Sequence, residues 1–248
     1  MKKTKKNINA AILIIGNEVL SGRTQDLNVS FISHWLNINC GISVEEVRII
    51  PDIEKKIIFN VLDLSKKFKY VFTTGGIGPT HDDITSLSIS KAFKAKYGFN
   101  KEAYLILEKY YGKNNFNEGR KKMARMPVGA TLIYNEQGSA PAFFLENVFV
   151  LPGIPSYVEI MLPQLKNILI HGKKIVSISY DAKVRESSIA ISLSQIQDMH
   201  QDLDIGSYPY SKENSFGTVL IVRGVDKLRI ESCISDIKSM LKKYEDLN

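Results

Sequence analysis

The sequence predicts an α/β protein: a mostly parallel sheet with helices on both faces, followed by a small α+β appendage. Three observations carry this. Short β-branched apolar runs alternate with segments of helical apolar spacing through the first two-thirds of the chain. A glycine-rich turn sits directly after one of those runs, and the last third changes to a βαββα order with no such turn.

Taken in order, residues 10–15 are a continuous apolar run of strand length, followed by a helical stripe of Leu27, Phe31, Trp35 and Leu36 that Gly41 closes. Residues 42–50 are β-branched and read as the second strand. Pro51-Asp52 opens a helix with Ile57, Val61, Leu64 and Phe68 on one face. Residues 70–74 form the third strand, and helices are expected over 82–97 and 101–111, then a basic segment over 120–125. Residues 142–145 and 148–151 flank Glu146-Asn147 as a β-hairpin, and a helix over 156–169 follows Pro155. Beyond a boundary near His171-Gly172, strands over 174–180, 205–210 and 218–223 accompany helices over 186–199 and 227–244. The expected domains are therefore 1–171 and 172–248.

Composition narrows the function. With 248 residues, 44% hydrophobic and 24% charged, the chain falls in the globular range, which excludes disordered and collagen-like classes. Cys40 and Cys233 match no zinc spacing and no disulfide framework, as suits a reducing compartment. No apolar run approaches the roughly 18 residues of a membrane span. The lysines at 2, 3, 5 and 6 ahead of residues 10–15 imitate a secretory signal, but the run is short and lacks an Ala-x-Ala site, so a cytoplasmic protein without a membrane partner is expected. Those four lysines also supply four of the seven net positive charges, leaving +3. The remaining basic residues are scattered, so a nucleic-acid partner is not expected, while a small phosphate-bearing ligand is compatible.

The chemistry concentrates in Thr73-Thr74-Gly75-Gly76-Ile77-Gly78-Pro79-Thr80, between the third strand and a helix. In a parallel sheet that is the ligand-binding rim. Glycines allow close backbone approach to a phosphate, and free N–H groups point at the anion. The turn matches neither the P-loop nor the dinucleotide fingerprint. His81-Asp82-Asp83 follows, with His81 read as a loop residue. Two carboxylates beside a phosphate cradle repel the ligand unless a divalent cation lies between, which makes Asp82 and Asp83 candidate metal ligands; a helix cap is the alternative for either. Strand one ends in Gly16-Asn17-Glu18 and continues to Asp26 and Asn28, so Glu18 and Asp26 are placed to converge on the same crevice and Arg23 to clamp a phosphate. A helix cap is again the alternative for Asp26, and a solvated surface side chain for Arg23. Asn135, Gly138, Pro152 and Gly153, in turns after later strands, are candidates for the same rim.

The segments IGNEVLSGRTQDLN, TTGGIGPTHDDIT, MPVGATLIYNEQGSAPAF, LPGIP and GSYPY occur in the order and approximate spacing of the CinA family, the competence/damage-inducible proteins, and the chain resembles that family over nearly its whole length. The resemblance implies a three-layer fold of the MoaB/Mog molybdopterin-binding type, dimeric or higher. It implies a metal-dependent pyrophosphatase acting on ADP-ribose-type nucleotides with Mg²⁺ or Co²⁺, and the related domain of eukaryotic FAD synthases hydrolyses FAD. Mog relatives instead bind and adenylylate a pterin, which is the alternative reading; a non-catalytic, competence-related interaction protein is a third. By motif, Thr74, Gly75, Gly76, Gly78, Pro79 and Thr80 take the phosphate-loop role, Asp82 and Asp83 the metal role, and Glu18, Asp26 and Asn28 the strand-one role. In the expected reaction Glu18 or Asp26 orients water and Asp83 serves beside the metal. Two departures stand out. Ser156-Tyr157-Val158 follows Pro155 where many members carry an acidic residue, with Glu159 slightly later, and the chain stops where longer members continue into an NMN deamidase domain. A separately encoded NMN deamidase is thus a candidate partner.

Overall fold

A computed structural model describes residues 8–137, 140–212 and 215–245. The chain divides into two compact units, Met1–Gly172 and Lys173–Asn248.

The first unit is built on a six-stranded sheet. In it β1 (Asn9–Ile15) is flanked in parallel by β2 (Ser43–Ile50) and β3 (Tyr70–Thr74). Beyond β3 come β8 (Val148–Leu151), parallel, then β7 (Ala142–Leu145) and β6 (Thr131–Ile133), each antiparallel to its neighbour, so the sheet order is β2-β1-β3-β8-β7-β6. β1 is apolar throughout because both its faces are covered. Ala11, Leu13 and Ile15 enter one core with α3 (Glu54–Lys67), α4 (Thr85–Ala92) and α5 (Lys101–Tyr111). Ala10, Ile12 and Ile14 enter the other with α2 (Asn28–Trp35) and α7 (Pro155–Met161). Phe72 stacks on Phe149 at 5.0 Å between ring centroids, and Phe149 on Phe144 at 5.1 Å, which ties β3, β8 and β7 across one face. Full burial of each such side chain contributes about 1.5–3 kcal/mol, so the sheet centre is the stable platform and its loops the adaptable part.

Several sequence expectations need correction. The helix expected over 82–97 shrinks to α4, because Asp82 and Asp83 are held in the turn before it and Lys94 takes a left-handed φ of 53° after it. Tyr97 then enters β4 (Tyr97–Phe99), which pairs with β5 (Arg125–Pro127) as a separate ribbon. The first half of the basic segment lies in α6 (Glu118–Lys122) and its last residue, Arg125, in β5, and a short α1 (Asn17–Leu20) follows β1 directly. The helix expected over 156–169 is α7 followed by a 3₁₀ stretch, Leu162–Asn167, because Pro163 lacks the N–H that an α-helix needs there. α2 ends in a π turn, Leu36–Cys40, before Gly41 at φ 62°.

The second unit contains β9 (Val176–Ala182), α8 (Glu186–Met199), β10 (Asp204–Lys212), β11 (Ser215–Gly224) and α9 (Lys227–Glu245). Its antiparallel sheet has the order β10-β11-β9. Leu220 and Val222 pack with Ile189, Ile230, Cys233 and Ile237 in its core. Among the described residues, no helix in either unit is long and apolar enough to cross a membrane.

Candidate functional site

The carboxyl ends of β1, β2, β3 and β8 form one rim. β3 delivers Gly75 and Gly76 at φ 98° and 68°, a conformation that L side chains rarely adopt. Space forbids a side chain as well. A Cβ on Gly75 would lie 2.1 Å from the Ile15 carbonyl oxygen, and one on Gly153 would lie 3.5 Å from the Gly75 Cα, so the ends of β1, β3 and β8 meet backbone to backbone. The buried Thr85 locks the turn: its Oγ1 donates to the Gly75 carbonyl at 3.0 Å and its N–H to the Gly76 carbonyl at 2.9 Å. Among the described residues the N–H groups of Gly76, Ile77 and Gly78 find no acceptor, which leaves three donors in the turn free for an anionic ligand.

Carboxylates surround this loop. Glu18, in α1, folds back over Gly16, where a Cβ would lie 2.5 Å from its Oε1. Asp52 follows β2; its Oδ2 accepts the Asn17 N–H at 2.9 Å, and its Oδ1 lies 3.6 Å from where a Gly76 Cβ would be. Partial burial pushes the Asp52 carboxyl above the usual carboxylate range, and repulsion from Glu18 and Asp82 pushes the same way, against the Asn17 hydrogen bond. The three carboxylates, each from a different strand end, therefore share one electrostatic neighbourhood. Asp82 is held below its ordinary value, first by its Thr80 hydrogen bond, with His81 and Lys122 adding attraction.

Asp82 and Asp83 play different parts. Thr80 donates its N–H to Asp83 Oδ2 at 2.7 Å, and the Thr80 hydroxyl lies 2.5 Å from both Asp83 Oδ2 and Asp82 Oδ1. Asp83 thus closes the turn on itself. One hydroxyl hydrogen serves only one carboxylate at a time, so a cation between the two would relieve their contact. Among the described residues no group of three or more His, Cys, Asp or Glu is placed to hold an ion alone. The donor set fits a hard cation only where one or two carboxylates are completed by ligand phosphate oxygens and water, the usual arrangement for Mg²⁺.

The other sequence-predicted residues divide into those on the rim and those away from it. Glu18, Asp26, Asn28, Thr74, Gly75 and Gly153 line a cavity of about 60 Å³. Within it Asp26 Oδ1 accepts the Val29 N–H at 2.8 Å, the helix-capping alternative, and Asn28 Nδ2 donates to the Gly153 carbonyl at 2.9 Å. Pro152 precedes Gly153 at the end of β8. Gly78 and Pro79 belong to the loop, with Gly78 against Asp83 and the Pro79 carbonyl beside Gly119. Arg23 is exposed in the turn after α1, and among the described residues no hydrogen bond or ion pair joins it to the glycine turn. Asn135 is buried after β6, its Oδ1 accepting the Gln137 N–H, and sits on the same rim three strands from β3, roughly 14 Å at ordinary strand spacing. Gly138 lies outside the described residues.

Two residues that the sequence did not single out belong to the site. In the sequence Asp52 signals only the opening of α3, although it follows β2 as Glu18 follows β1. Lys122, at the end of α6, donates from Nζ to the Thr80 carbonyl, which sets a cation over the loop. Its only sequence signal was the basic segment, which carried no hint of the fold-back.

Comparison with known proteins gives the following. The model of a family described as "probable molybdopterin binding domain" matches residues 11–171, and that of the "FAD synthase, middle domain" matches residues 174–246. A protein of Archaeoglobus fulgidus is 32% identical over 235 residues, 93% of this chain and 96% of that one. One of Sulfolobus acidocaldarius is 34% identical over 221 residues, 84% of this chain and 82% of its own. The crystal structure of the protein CinA from Thermoplasma acidophilum, described as of unknown function, superposes with a TM-score of 0.62 at 29% identity, covering 66% of this chain and 99% of that one.

Proposed function

This chain belongs to the molybdopterin-binding domain family, and from that premise we propose that it is a CinA-like, divalent-metal-dependent hydrolase of nucleotide diphosphate linkages of the ADP-ribose type. What supports this reading is that Glu18 lines a cavity with Gly75, Asp52 Oδ1 lies 3.6 Å from where a Gly76 Cβ would be, and Asp82 is hydrogen-bonded to Thr80, all beside a turn in which the Gly76, Ile77 and Gly78 N–H groups have no acceptor among the described residues. Donors alone suit any anion. Donors faced by carboxylates suit a diphosphate that arrives with a cation.

In the proposed reaction the N–H groups of Gly76, Ile77 and Gly78 hold diphosphate oxygens, and Lys122 adds positive charge at the loop edge. Thr80 orients Asp82 outward while Asp83 keeps the turn shut. A Mg²⁺- or Co²⁺-type cation at Asp82, with Asp52 or Asp83, would offset charge on the phosphoryl oxygens. Glu18, across the loop, is placed to orient a water, and Asp26 supports it by fixing the start of α2. Positioning and charge stabilisation carry most phosphoryl transfers, so no covalent nucleophile is required.

The family match over residues 11–171 favours a second reading, pterin binding with adenylyl transfer. Incubating the protein and Mg²⁺ or Co²⁺ with ADP-ribose, FAD, coenzyme A or molybdopterin, and measuring released AMP, separates the two. Metal-dependent AMP release from ADP-ribose supports hydrolysis. Tight molybdopterin binding without AMP release from any diphosphate overturns it in favour of the second reading.

A further inference from the structure

With the four lysines at 2, 3, 5 and 6 set aside, the positive charge that is dispersed along the sequence is gathered by the fold. Residues 94–125 hold nine lysines and arginines against three glutamates, a net +6 in a chain of net +7, so what remains beyond those four lysines is net −3. These residues make one lobe of the first unit. β4 and β5 pair at its base, α5 and α6 lie between them in sequence, and Ala103, Leu107, Phe116 and Ala124 hold its inner side in the core. The cations are left outside. Lys94, Lys96, Lys101, Lys109, Lys113 and Arg125 are exposed, and Lys101, Leu105 and Lys109 recur at four-residue spacing along one side of α5. Among the described residues only Lys121 of the nine has a carboxylate partner, Glu118 at 2.7 Å. Of the other two glutamates, Glu102 accepts from the Tyr134 hydroxyl at 2.9 Å and Glu108 is half-buried. Such a surface repels itself, and an anionic partner relieves it.

Aromatic rings decide what kind of anion fits. Phe99 and Tyr110, 48% and 51% exposed, stand on the same lobe. Arg125 lies over the Phe99 ring at 4.4 Å and Arg120 over the Tyr111 ring at 4.2 Å. Phe99 meets Tyr104 edge-on at 5.7 Å between centroids, and Tyr110 meets Tyr111 edge-on at 4.9 Å. Each exposed ring thus belongs to an aromatic pair that carries an arginine. Stacked in this way, the Arg125 guanidinium has no hydrogen-bond acceptor among the described residues, whereas Arg120 donates one group to the Asn115 carbonyl. Guanidinium planes and aromatic faces stack bases, while guanidinium N–H groups and ammoniums bind phosphates. Only unpaired bases offer their faces to a protein surface. We propose that the 94–125 lobe binds single-stranded nucleic acid, with bases on Phe99 and Tyr110 and backbone phosphates on Arg120, Arg125, Lys101 and Lys109. The lysines of α5 lie about 12 Å apart at 1.5 Å per residue, a span that suits a few nucleotides. The surface requires no chemistry at the glycine turn, so it stands or falls separately from hydrolysis there.

Fluorescence anisotropy of the full chain with labelled oligothymidylate and oligouridylate of about 20 nucleotides, over roughly 50–200 mM salt, tests this. Contact with about four phosphates predicts a slope of log K against log salt near −3, at about −0.7 per phosphate. Removing two charges together, as Arg120→Gln with Arg125→Gln, should weaken binding about tenfold at low salt and flatten that slope by about 1.4. Lys101→Gln with Lys109→Gln should do the same from the solvent side of α5, and serves where circular dichroism shows the arginine pair misfolded. Lys55→Gln with Lys56→Gln takes the same charge from exposed positions of α3, outside the lobe, and should change binding less than about twofold. Phe99→Leu keeps the charge but removes a stacking face, so binding should fall about tenfold with the slope unchanged. Binding of either oligonucleotide with this pattern supports the proposal, and the tighter of the two identifies DNA or RNA as the source. No binding at the lowest salt overturns it. Equal loss in the α3 pair also overturns it, by tracing binding to net charge or to the lysines at 2–6. Equal binding of inorganic polyphosphate, or of a duplex, with Phe99→Leu unchanged, leaves a surface that takes polyanions without stacking bases and overturns it as well.

Discussion

Replacing Gly75 by alanine separates two costs that the structure assigns to the loop. The first is conformational: φ of 98° costs a non-glycine residue about 1–2 kcal/mol. The second is contact. The new Cβ would sit 2.1 Å from the Ile15 carbonyl oxygen, more than 1 Å inside the roughly 3.3 Å at which carbon and carbonyl oxygen normally meet. Ile15 ends a strand paired on both sides and cannot retreat by that distance, so the total should reach about 4 kcal/mol or more, an exceptional value for one methyl group. Gly22→Ala is the control, since its φ is 72° but nothing lies within 4 Å of the added carbon. That variant should lose only the first 1–2 kcal/mol. At about 2–4 °C per kcal/mol for a chain of this length, Gly22→Ala should melt a few degrees low and Gly75→Ala about 10 °C low or more. Fluorescence of Trp35, the single tryptophan and a first-unit residue, reports the transition. A Gly75→Ala protein no less stable than Gly22→Ala would refute the close-contact reasoning.

Asp82→Asn and Asp83→Asn should part company. The exposed Asp82 change should leave stability within about 0.5 kcal/mol while lowering hydrolysis about 10²-fold, whereas Asp83→Asn should weaken the Thr80 anchor and cost about 1 kcal/mol in urea unfolding. Because folding raises the Asp52 carboxyl above its unfolded value, the folded state binds the extra proton, and stability from this group is lost as pH rises through the raised value. Asp52→Asn should therefore flatten that loss in a pH series of melting temperatures and be no less stable than wild type at neutral pH, while hydrolysis falls about 10²-fold. Equal loss of stability and activity would make Asp52 a structural residue. Cys233 is buried, and desolvation pushes its thiol up to about 11, so a disulfide reagent at pH 8 should label it only at the rate of unfolding. Rapid labelling of a folded protein would contradict that burial.

What the sequence determined was local. The apolar run at 10–15, the glycine turn after 70–74 and the 3.6-residue stripe of α3 identify a parallel α/β sheet because strand and helix periodicities are written in adjacent residues. The same applies to Asp26, whose capping of α2 is one of the two roles its sequence context offers, whereas the closure of the turn by Asp83 on Thr80 is visible only in the structure. Tertiary structure decided everything that depends on which strand ends meet. Asp52 is 24 residues before Gly76 in sequence and reaches the loop only because β2, β1 and β3 lie side by side. Lys122 arrives from 42 residues beyond Thr80 because α6 folds back over the turn. Asn135, by contrast, resembled its companions in sequence and ends three strands away. Local spacing fixes a residue's conformation and facing; its neighbours across the sheet are set by strand order, which is a property of the whole core and not of any one segment.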